Sequence, residues 1–156
     1  MNKVTVNSEE IPLPTFTNSL INFAQKVMDI RSCKNWDLSV LLCGDKTIKA
    51  LNAKYRNKDE PTDILSFNLG ETAQIDDETV YLPGDIVISL ESMRHNAQYF
   101  KINEDEELRR LIIHGILHLE GMNHETIDKD EPMLVIQEDI LNKLKDETIL
   151  HNGGEK

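Results

Sequence analysis

The 156-residue sequence is poor in cysteine and in long apolar runs, and each scarcity excludes a class of protein. Its two cysteines, Cys33 and Cys43, form neither a CxxC pair nor the framework of a small disulfide-rich protein. No apolar run approaches the roughly 20 residues that a transmembrane helix needs. The first residues, MNKVTVNSEE, lack the apolar core of a signal peptide. We therefore expect a cytoplasmic protein with reduced thiols and no membrane partner.

Internal repeats, low-complexity tracts and Ser/Gly linkers are also missing. A length of 156 residues is that of one ordinary domain. The hydrophobic fraction of 39% and the charged fraction of 29% are those of a globular protein. These features predict a single domain over residues 1–156.

Basic residues are scarce, since 17 Lys and Arg stand against 28 Asp and Glu. The net charge of −11 argues against a nucleic-acid partner, because phosphate contacts supply most of the affinity in such complexes. However, residues 31–58 contain seven basic and two acidic residues, a local net charge of +5. A solvated helix face explains such a run equally well. Charge alone therefore leaves the nature of the partner open.

Hydrophobic periodicity predicts the element order β-α-β-α-β-β, followed by helices. Strands are predicted at 3–7, 37–43, 64–69 and 85–89, and the first two helices at 16–30 and 45–57. Asp45 is the predicted N-cap of the second helix. The acidic residues 70–79, GETAQIDDET, are predicted to form a mobile loop. This order predicts an α/β or α+β fold in which helices cover a small mixed sheet.

The C-terminal half is predicted to be helical, with helices at 89–101, 104–120 and 131–146. Ser89 and Asn103 are predicted N-caps, and acids at 104–107 oppose the positive end of the helix dipole. Gly121 marks the end of the middle helix, because glycine can adopt the left-handed conformation that reverses the chain. Since this helix is apolar almost all round, we predict that it is central and buried.

Three of the five histidines lie in HGILHLEGMNH, residues 114–124. His114 and His118 are four residues apart, so they share one face of the middle helix, and a turn at Gly121 lets His124 approach them. Three imidazoles without a thiolate are typical of a catalytic zinc site, which keeps one coordination position open. We predict one Zn²⁺ per chain at these three histidines, with another transition metal such as Ni²⁺ as the alternative.

Two other interpretations of the histidines remain open. A closed structural site would need a fourth ligand, for which Glu125 or Asp128 is available. Histidines without any metal would be buried polar groups, which cost on the order of several kcal/mol unless they find hydrogen-bond partners.

The spacing of the histidines matches the metzincin peptidase signature except at one position. In those peptidases a glutamate follows the first histidine and serves as general base, whereas this chain has Gly115. Met133, the nearest candidate for the methionine turn of those enzymes, lies in an apolar helical run typical of core packing. We therefore predict a metal site without peptidase activity.

Two stretches of the chain, LNAKYRNKDEPTDILSF and HGILHLEGMNHE, resemble the YbeY family of bacterial rRNA maturation factors, and GDIVIS lies between them in the expected order. The resemblance covers roughly residues 37–145. It implies a single-strand-specific, metal-dependent endoribonuclease that matures the 3′ end of 16S rRNA and acts in ribosome quality control. The implied partners are single-stranded RNA, rRNA and ribosomal subunits, and no DNA is expected.

The same resemblance implies roles for individual residues. His114, His118 and His124 would bind the metal, and Arg56 and His114 would be the catalytic residues. Two departures from the family stand out. Met122-Asn123 replace the usual Tyr-Asp before the third histidine, and Asn68 replaces a proline that often follows LSF.

An arginine fork matches the oxygens of a phosphodiester under attack, which makes Arg56 chemically suitable for this role. Lys54, Arg56 and Lys58 are predicted to line the RNA groove. Two alternatives carry different functions: a metal-dependent hydrolase of another phosphoester or amide, and a ribosome-associated factor whose metal is structural.

Overall fold

The computed structural model describes residues 1–124 and 126–150, and within them the strands and helices follow the predicted order. The strands are β1 (Lys3–Ser8), β2 (Asp37–Cys43), β3 (Ile64–Ile75) and β4 (Glu78–Ser89). The helices are α1 (Thr17–Ile30), α2 (Asp45–Arg56), α3 (Leu90–Phe100), α4 (Glu104–Leu119) and α5 (Pro132–Lys143). Among the described residues, no helix is long and apolar enough to cross a membrane.

The four strands form one mixed sheet in the order β1-β2-β4-β3. β1 and β4 both run parallel to β2, whereas β3 runs antiparallel to β4. Successive residues of a strand face opposite sides of the sheet. Ile86 and Ile88 of β4 therefore pack in the main core with α1 and α4, while Val87 packs against Ile48 of α2 on the other side. The fold is a small α/β domain, as predicted.

The β3–β4 hairpin corrects one prediction, because residues 70–79 are mostly strand rather than loop. The turn is made by Asp76 and Asp77, whose φ angles of 50° and 65° are those of a two-residue type I′ hairpin turn. Ile75 pairs with Glu78 directly beside this turn. Most side chains of this end of the hairpin are exposed, so the sequence carries no alternation from which a strand could be predicted.

The start of α2 corrects a second prediction, because Asp45 does not cap its own helix. Gly44 is the N-cap residue, and Asp45 is the first helical residue. Its carboxylate accepts a hydrogen bond from the Ser89 hydroxyl (2.7 Å) at the start of α3. A distant carboxylate, that of Glu10, instead accepts from the amide of Thr47 (2.8 Å). Tertiary contacts thus satisfy this helix end.

The predicted boundaries of the histidine helix α4 are confirmed. The Asn103 side chain accepts a hydrogen bond from the amide of Glu106 (3.1 Å), as an N-cap residue does. The Ser89 cap of α3 is confirmed in the same way, by a hydrogen bond from Ser92 (3.1 Å). Eleven of the sixteen residues of α4 are buried, which fixes the position of the helix against the sheet.

One buried ion pair on α4 also holds the C-terminal segment. Asp105 pairs with Arg109 at 2.7 Å, and both residues are only 8% exposed. The other carboxylate oxygen of Asp105 accepts from the amides of Ile149 (2.7 Å) and Leu150 (2.8 Å). Arg109 in turn lies 3.4 Å from the carbonyl of Leu144. The pair therefore attaches the end of the described chain to the first turns of α4.

We predict that Asp105→Ala lowers the free energy of unfolding by about 3 kcal/mol, because it leaves the Arg109 charge buried and unpaired. Urea unfolding of metal-free protein measures this change. Asp139→Ala is the matched control, since Asp139 forms an exposed pair with Lys143 on α5. Exposed pairs contribute at most about 1 kcal/mol. Equal losses in the two variants would contradict the assigned role of Asp105.

Candidate metal centre

Helix α4 and the turn that follows it bring three histidine rings together. His114 and His118 lie one helical turn apart, and their ring centroids are separated by 4.4 Å. The amide of Gly121 donates to the carbonyl of His118 (2.9 Å), and a φ of 99° at Gly121 reverses the chain. The His124 ring centroid consequently lies 5.4 Å from that of His114. One ligand atom from each ring lies within 4.8 Å of the others, so the group can hold a metal ion.

Two of the three rings are oriented by main-chain oxygens of the loop after α4. Nδ1 of His118 lies 2.9 Å from the carbonyl oxygen of Met122, and Nδ1 of His124 lies 2.7 Å from that of Thr126. A carbonyl oxygen can only accept a hydrogen bond, so each Nδ1 carries the proton. Nε2 of both rings is therefore left with its lone pair available to a metal.

The His114 ring has a side-chain acceptor instead, because its Nδ1 lies 2.6 Å from Oε1 of Gln137. Its Nε2 then faces Nε2 of His118 at 3.0 Å. Two lone pairs at this distance repel each other unless a cation lies between them. Zn–N bonds of about 2.0 Å at a tetrahedral angle place two ligand nitrogens roughly 3.3 Å apart, close to the observed spacing. The donor set therefore fits Zn²⁺ or a similar transition metal.

Burial keeps two of these rings neutral at pH 7. Burial lowers the pKa of His114 to about 4, and the neighbouring His118 and His124 add to this effect. Burial is also the main reason why the pKa of His118 lies below its ordinary value. A group with a lowered pKa resists protonation, and only a neutral imidazole can bind a metal. The site is thus prepared for metal binding at neutral pH.

Asp128, proposed above as a possible fourth ligand, does not join the group. Among the described residues, the group that can hold a metal contains only the three histidines. A carboxylate oxygen of Asp128 instead accepts from the amide of Asp130 at 2.9 Å. The other candidate, Glu125, lies outside the described residues. The described part of the site therefore provides three ligands, the number that catalytic zinc centres use.

Arg56 lies in the same cavity as His114 and His118. This cavity has a volume of about 530 Å³, and Arg56, Ser66, His114 and His118 are among its lining residues. The Arg56 guanidinium donates to the carbonyl of Ser66 (2.7 Å) and lies 5.3 Å from the centroid of the Phe67 ring. Arg56 is 58 residues before His114 in the chain, but the fold brings the two residues together. The Arg56 guanidinium therefore lies beside the candidate metal site.

The two lysines predicted to line the RNA groove, Lys54 and Lys58, do not line this cavity. Lys54 and Lys58 are exposed and are not among the described lining residues of the cavity. The Nζ atom of Lys54 lies 5.1 Å from the centroid of the Tyr55 ring. The contact of these lysines with RNA stays a prediction, whereas Arg56 lines the cavity beside the histidines.

Comparisons with known proteins identify the family. The family model described as endoribonuclease YbeY matches residues 3–145. The chain belongs to the YbeY family. Relatives named endoribonuclease YbeY include one from Treponema denticola, 47% identical over 126 residues, which cover 80% of this chain and 81% of that protein. One from Borreliella burgdorferi is 44% identical over 134 residues, with coverages of 82% and 86%.

A solved structure supports the fold of this YbeY family member. The solution structure of a protein from Thermotoga maritima superposes with a TM-score of 0.63 at 28% sequence identity. The match covers 92% of this chain and 90% of that chain.

In this YbeY family member, the glycine at the position of the metzincin general base packs against β4. A Cβ atom built on Gly115 would lie 2.7 Å from Cδ1 and 3.0 Å from Cγ1 of Ile86. A side chain at position 115 would therefore require the Ile86 side chain of β4 to shift. Met133 is 1% exposed and belongs to the main core, as predicted. Gly115 offers no carboxylate that could serve as a peptidase base.

Two departures from the usual YbeY sequence lie at the site itself. Asn123 lines the cavity, and its side chain raises the pKa of His118 against the larger, opposite effect of burial. Asn68 also lines the cavity, and its amide nitrogen lies 3.5 Å from the His118 carbonyl. Both residues are amides, so the site retains polar contacts at these positions without a further carboxylate.

Sequence reasoning missed Gln137, the hydrogen-bond partner of His114. Gln137 lies on α5, and the other buried residues of that helix are Met133, Ile140 and Leu141. A polar residue at helical spacing within an apolar stripe was therefore the available signal.

Proposed function

We propose that the chain is a single-strand-specific, metal-dependent endoribonuclease that acts in the maturation of rRNA, at the 3′ end of 16S rRNA, and in ribosome quality control. The observation that carries the proposal is one cavity that contains the Arg56 guanidinium together with His114 and His118, two of the three convergent imidazoles. Membership of a family of endoribonucleases supports the same conclusion. The single-stranded rRNA substrate, the ribosomal subunits and the cytoplasmic location follow the family resemblance.

The three histidines have the role of metal ligands in this proposal. His114, His118 and His124 would hold Zn²⁺, or another transition metal such as Ni²⁺, through their Nε2 atoms. The bound metal would supply Lewis-acid chemistry at the scissile phosphate. His114 contributes to catalysis as a ligand, because its Nδ1 is hydrogen-bonded to Gln137 and its Nε2 faces the metal position.

Arg56 has the role of binding the phosphate that is cleaved. A guanidinium carries five N–H donors. Among the described residues, the hydrogen bond of Arg56 is the one that its Nη2 donates to the Ser66 carbonyl. The remaining donors can bind the non-bridging oxygens of a phosphodiester in the two-pronged geometry that an arginine provides. Arg56 is exposed, whereas His114 and His118 are half-buried, so the phosphate must enter a recess between them. A single strand can bend into such a recess more readily than a stiff duplex can.

The surface charge supports binding of RNA at this end of the molecule. The last turn of α2 carries Lys54 and Arg56, and Lys58 follows it closely. Outside residues 31–58 the chain has a net charge of −16. An acidic body repels phosphate and therefore restricts RNA to the basic segment beside the cavity.

The decisive test compares metal-loaded, chelator-treated and zinc-restored protein on one RNA sequence, offered as a single strand and as a duplex. We expect cleavage of the single strand only, loss of cleavage on chelation, and recovery with zinc. Stoichiometric zinc without any cleavage would favour the ribosome factor with a structural metal. Cleavage of a small phosphodiester, but not of RNA, would favour the more general hydrolase. Chelator-sensitive digestion of casein would contradict the prediction that the chain, with Gly115 in place of the general base, has no peptidase activity.

A further inference from the structure

Gln137 is a buried polar residue that contacts the candidate metal site from another helix. It is 6% exposed, and its Oε1 atom lies 2.6 Å from Nδ1 of His114. An amide side chain has one accepting oxygen and one donating NH₂ group, so its effect on a histidine depends on which of them faces the ring. The orientation of the Gln137 amide therefore decides whether Nδ1 of His114 carries a proton.

A neighbouring carboxylate fixes that orientation. The Nε2 atom of Gln137 lies 3.1 Å from Oε2 of Glu138. An ionised carboxylate can only accept hydrogen bonds, so the NH₂ group must face Glu138 and the carbonyl oxygen must face His114. The His114 ring is then forced to carry its proton on Nδ1.

Glu138 stays ionised because Arg110 of α4 binds both of its oxygens. The Arg110 guanidinium donates to Oε2 at 2.9 Å and to Oε1 at 3.1 Å. Burial by itself raises the pKa of Glu138, but the hydrogen bonds from Arg110 and Gln137 outweigh it and place the pKa below its ordinary value. Arg110 is held in turn by Glu106 at 2.9 Å. The pair is thus part of a connected network between α4 and α5.

We propose that Gln137 is a positioning residue: oriented by the Glu138–Arg110 pair, it holds His114 in the tautomer that presents Nε2 to the metal. This inference rests on the metal site of the proposed function, since it concerns one of its ligands. Without an acceptor at Nδ1, neutral imidazole can carry its proton on either nitrogen and the ring can turn. Partners of this kind typically change metal affinity by 10- to 100-fold.

The experiment measures zinc affinity by competition with a chromophoric chelator, so it needs no RNA substrate. Gln137→Met keeps the length of the side chain but removes the acceptor, and we expect zinc to bind at least about tenfold more weakly. Gln137→Glu restores an acceptor oxygen at the same place, and we expect its affinity to lie within about threefold of the wild type or above it. In zinc-loaded wild-type protein, long-range ¹H–¹⁵N spectra should show a slowly exchanging proton on Nδ1 of His114. That proton should exchange rapidly in Gln137→Met.

Glu138→Ala tests the orientation of the amide separately, and keeps the test informative if Gln137→Met does not fold. It removes the carboxylate that fixes Gln137, so zinc should bind about three- to tenfold more weakly. Asp139→Ala is the matched control, because it removes the next carboxylate of α5, which is exposed and pairs with Lys143. Its zinc affinity should equal that of the wild type. Thermal unfolding in chelator shows whether each variant is folded.

Three results would overturn the inference: less than tenfold loss in a folded Gln137→Met, a Gln137→Glu as weak as Gln137→Met, or equal effects of Glu138→Ala and Asp139→Ala. A wild-type protein that binds no zinc would refute the metal site itself, together with the function that depends on it. The two failures are therefore distinguishable from the wild-type measurement alone.

Discussion

His118→Ala is expected to bind no stoichiometric zinc and to cleave single-stranded RNA at least about 1,000-fold more slowly than the wild type. The substitution removes the middle ligand of the group, whose Nε2 lies 3.0 Å from that of His114. A two-histidine site lacks the third ligand that catalytic zinc sites use. A 1,000-fold loss corresponds to about 4 kcal/mol of transition-state stabilisation, a reasonable contribution for Lewis-acid chemistry. Elemental analysis and single-turnover cleavage measure the two effects.

His95→Ala is the matched control for this experiment. His95 is an exposed histidine on α3 and does not belong to the described histidine group. Both variants are purified identically, so a contaminating ribonuclease would remain in both preparations, whereas intrinsic activity would be lost only in His118→Ala. A His118→Ala protein that retains one zinc and cleaves at the wild-type rate would exclude the three-histidine site.

Arg56→Ala is expected to cleave at least about 100-fold more slowly while it keeps its metal and its fold. Removal of one donor to the charge that develops in a transition state typically costs around 3 kcal/mol. Arg56 is exposed, and its described hydrogen bond is to the Ser66 carbonyl, so its removal should change stability by less than about 1 kcal/mol. Zinc content, unfolding free energy and single-turnover cleavage separate these effects.

Arg56→Lys should recover only part of the lost activity, because an ammonium keeps the charge but not the two-pronged geometry. Lys54→Ala and Lys58→Ala are the controls for charge alone. They should weaken RNA binding modestly and flatten its salt dependence without a change in the cleavage rate of bound RNA. An Arg56→Ala protein that retains its metal and the wild-type rate would remove Arg56 from the mechanism and favour the ribosome factor with a structural metal.

The parts of the fold predicted correctly are those in which local sequence signals agree with packing. Asn103 and Gly121 delimit α4 because each satisfies a helix end with its own side chain or backbone. At Asp45 the local signal was misleading. The carboxylates that accept from the amides of that helix end come from Glu10 and Glu91, more than 30 residues away in the sequence. A single sequence does not reveal which distant side chain reaches a helix terminus.

The residues of the site also fall into those that the sequence predicts and those that it does not. The grouping of His114, His118 and His124 was predictable, because helical spacing and one glycine turn determine it locally. The contact of Arg56 with Ser66 depends on how α2 packs beside the edge strand β3, and no periodicity records that packing. Gln137 was not predicted because its importance appears only when α5 is placed against α4.

The three hydrogen bonds to the Nδ1 atoms differ in how far mutation can alter them. Met122 and Thr126 each contribute a main-chain carbonyl, which every amino acid possesses, so substitution at either position leaves the acceptor chemically the same. His114 alone depends on a side chain. A single codon change at position 137 can therefore replace the amide by a carboxylate and alter electron donation to His114. The main-chain acceptors of His118 and His124 do not change in this way. Among the three acceptors, position 137 is therefore the one at which a substitution can adjust the properties of this centre. This position lies on α5, a helix that carries none of the three histidines.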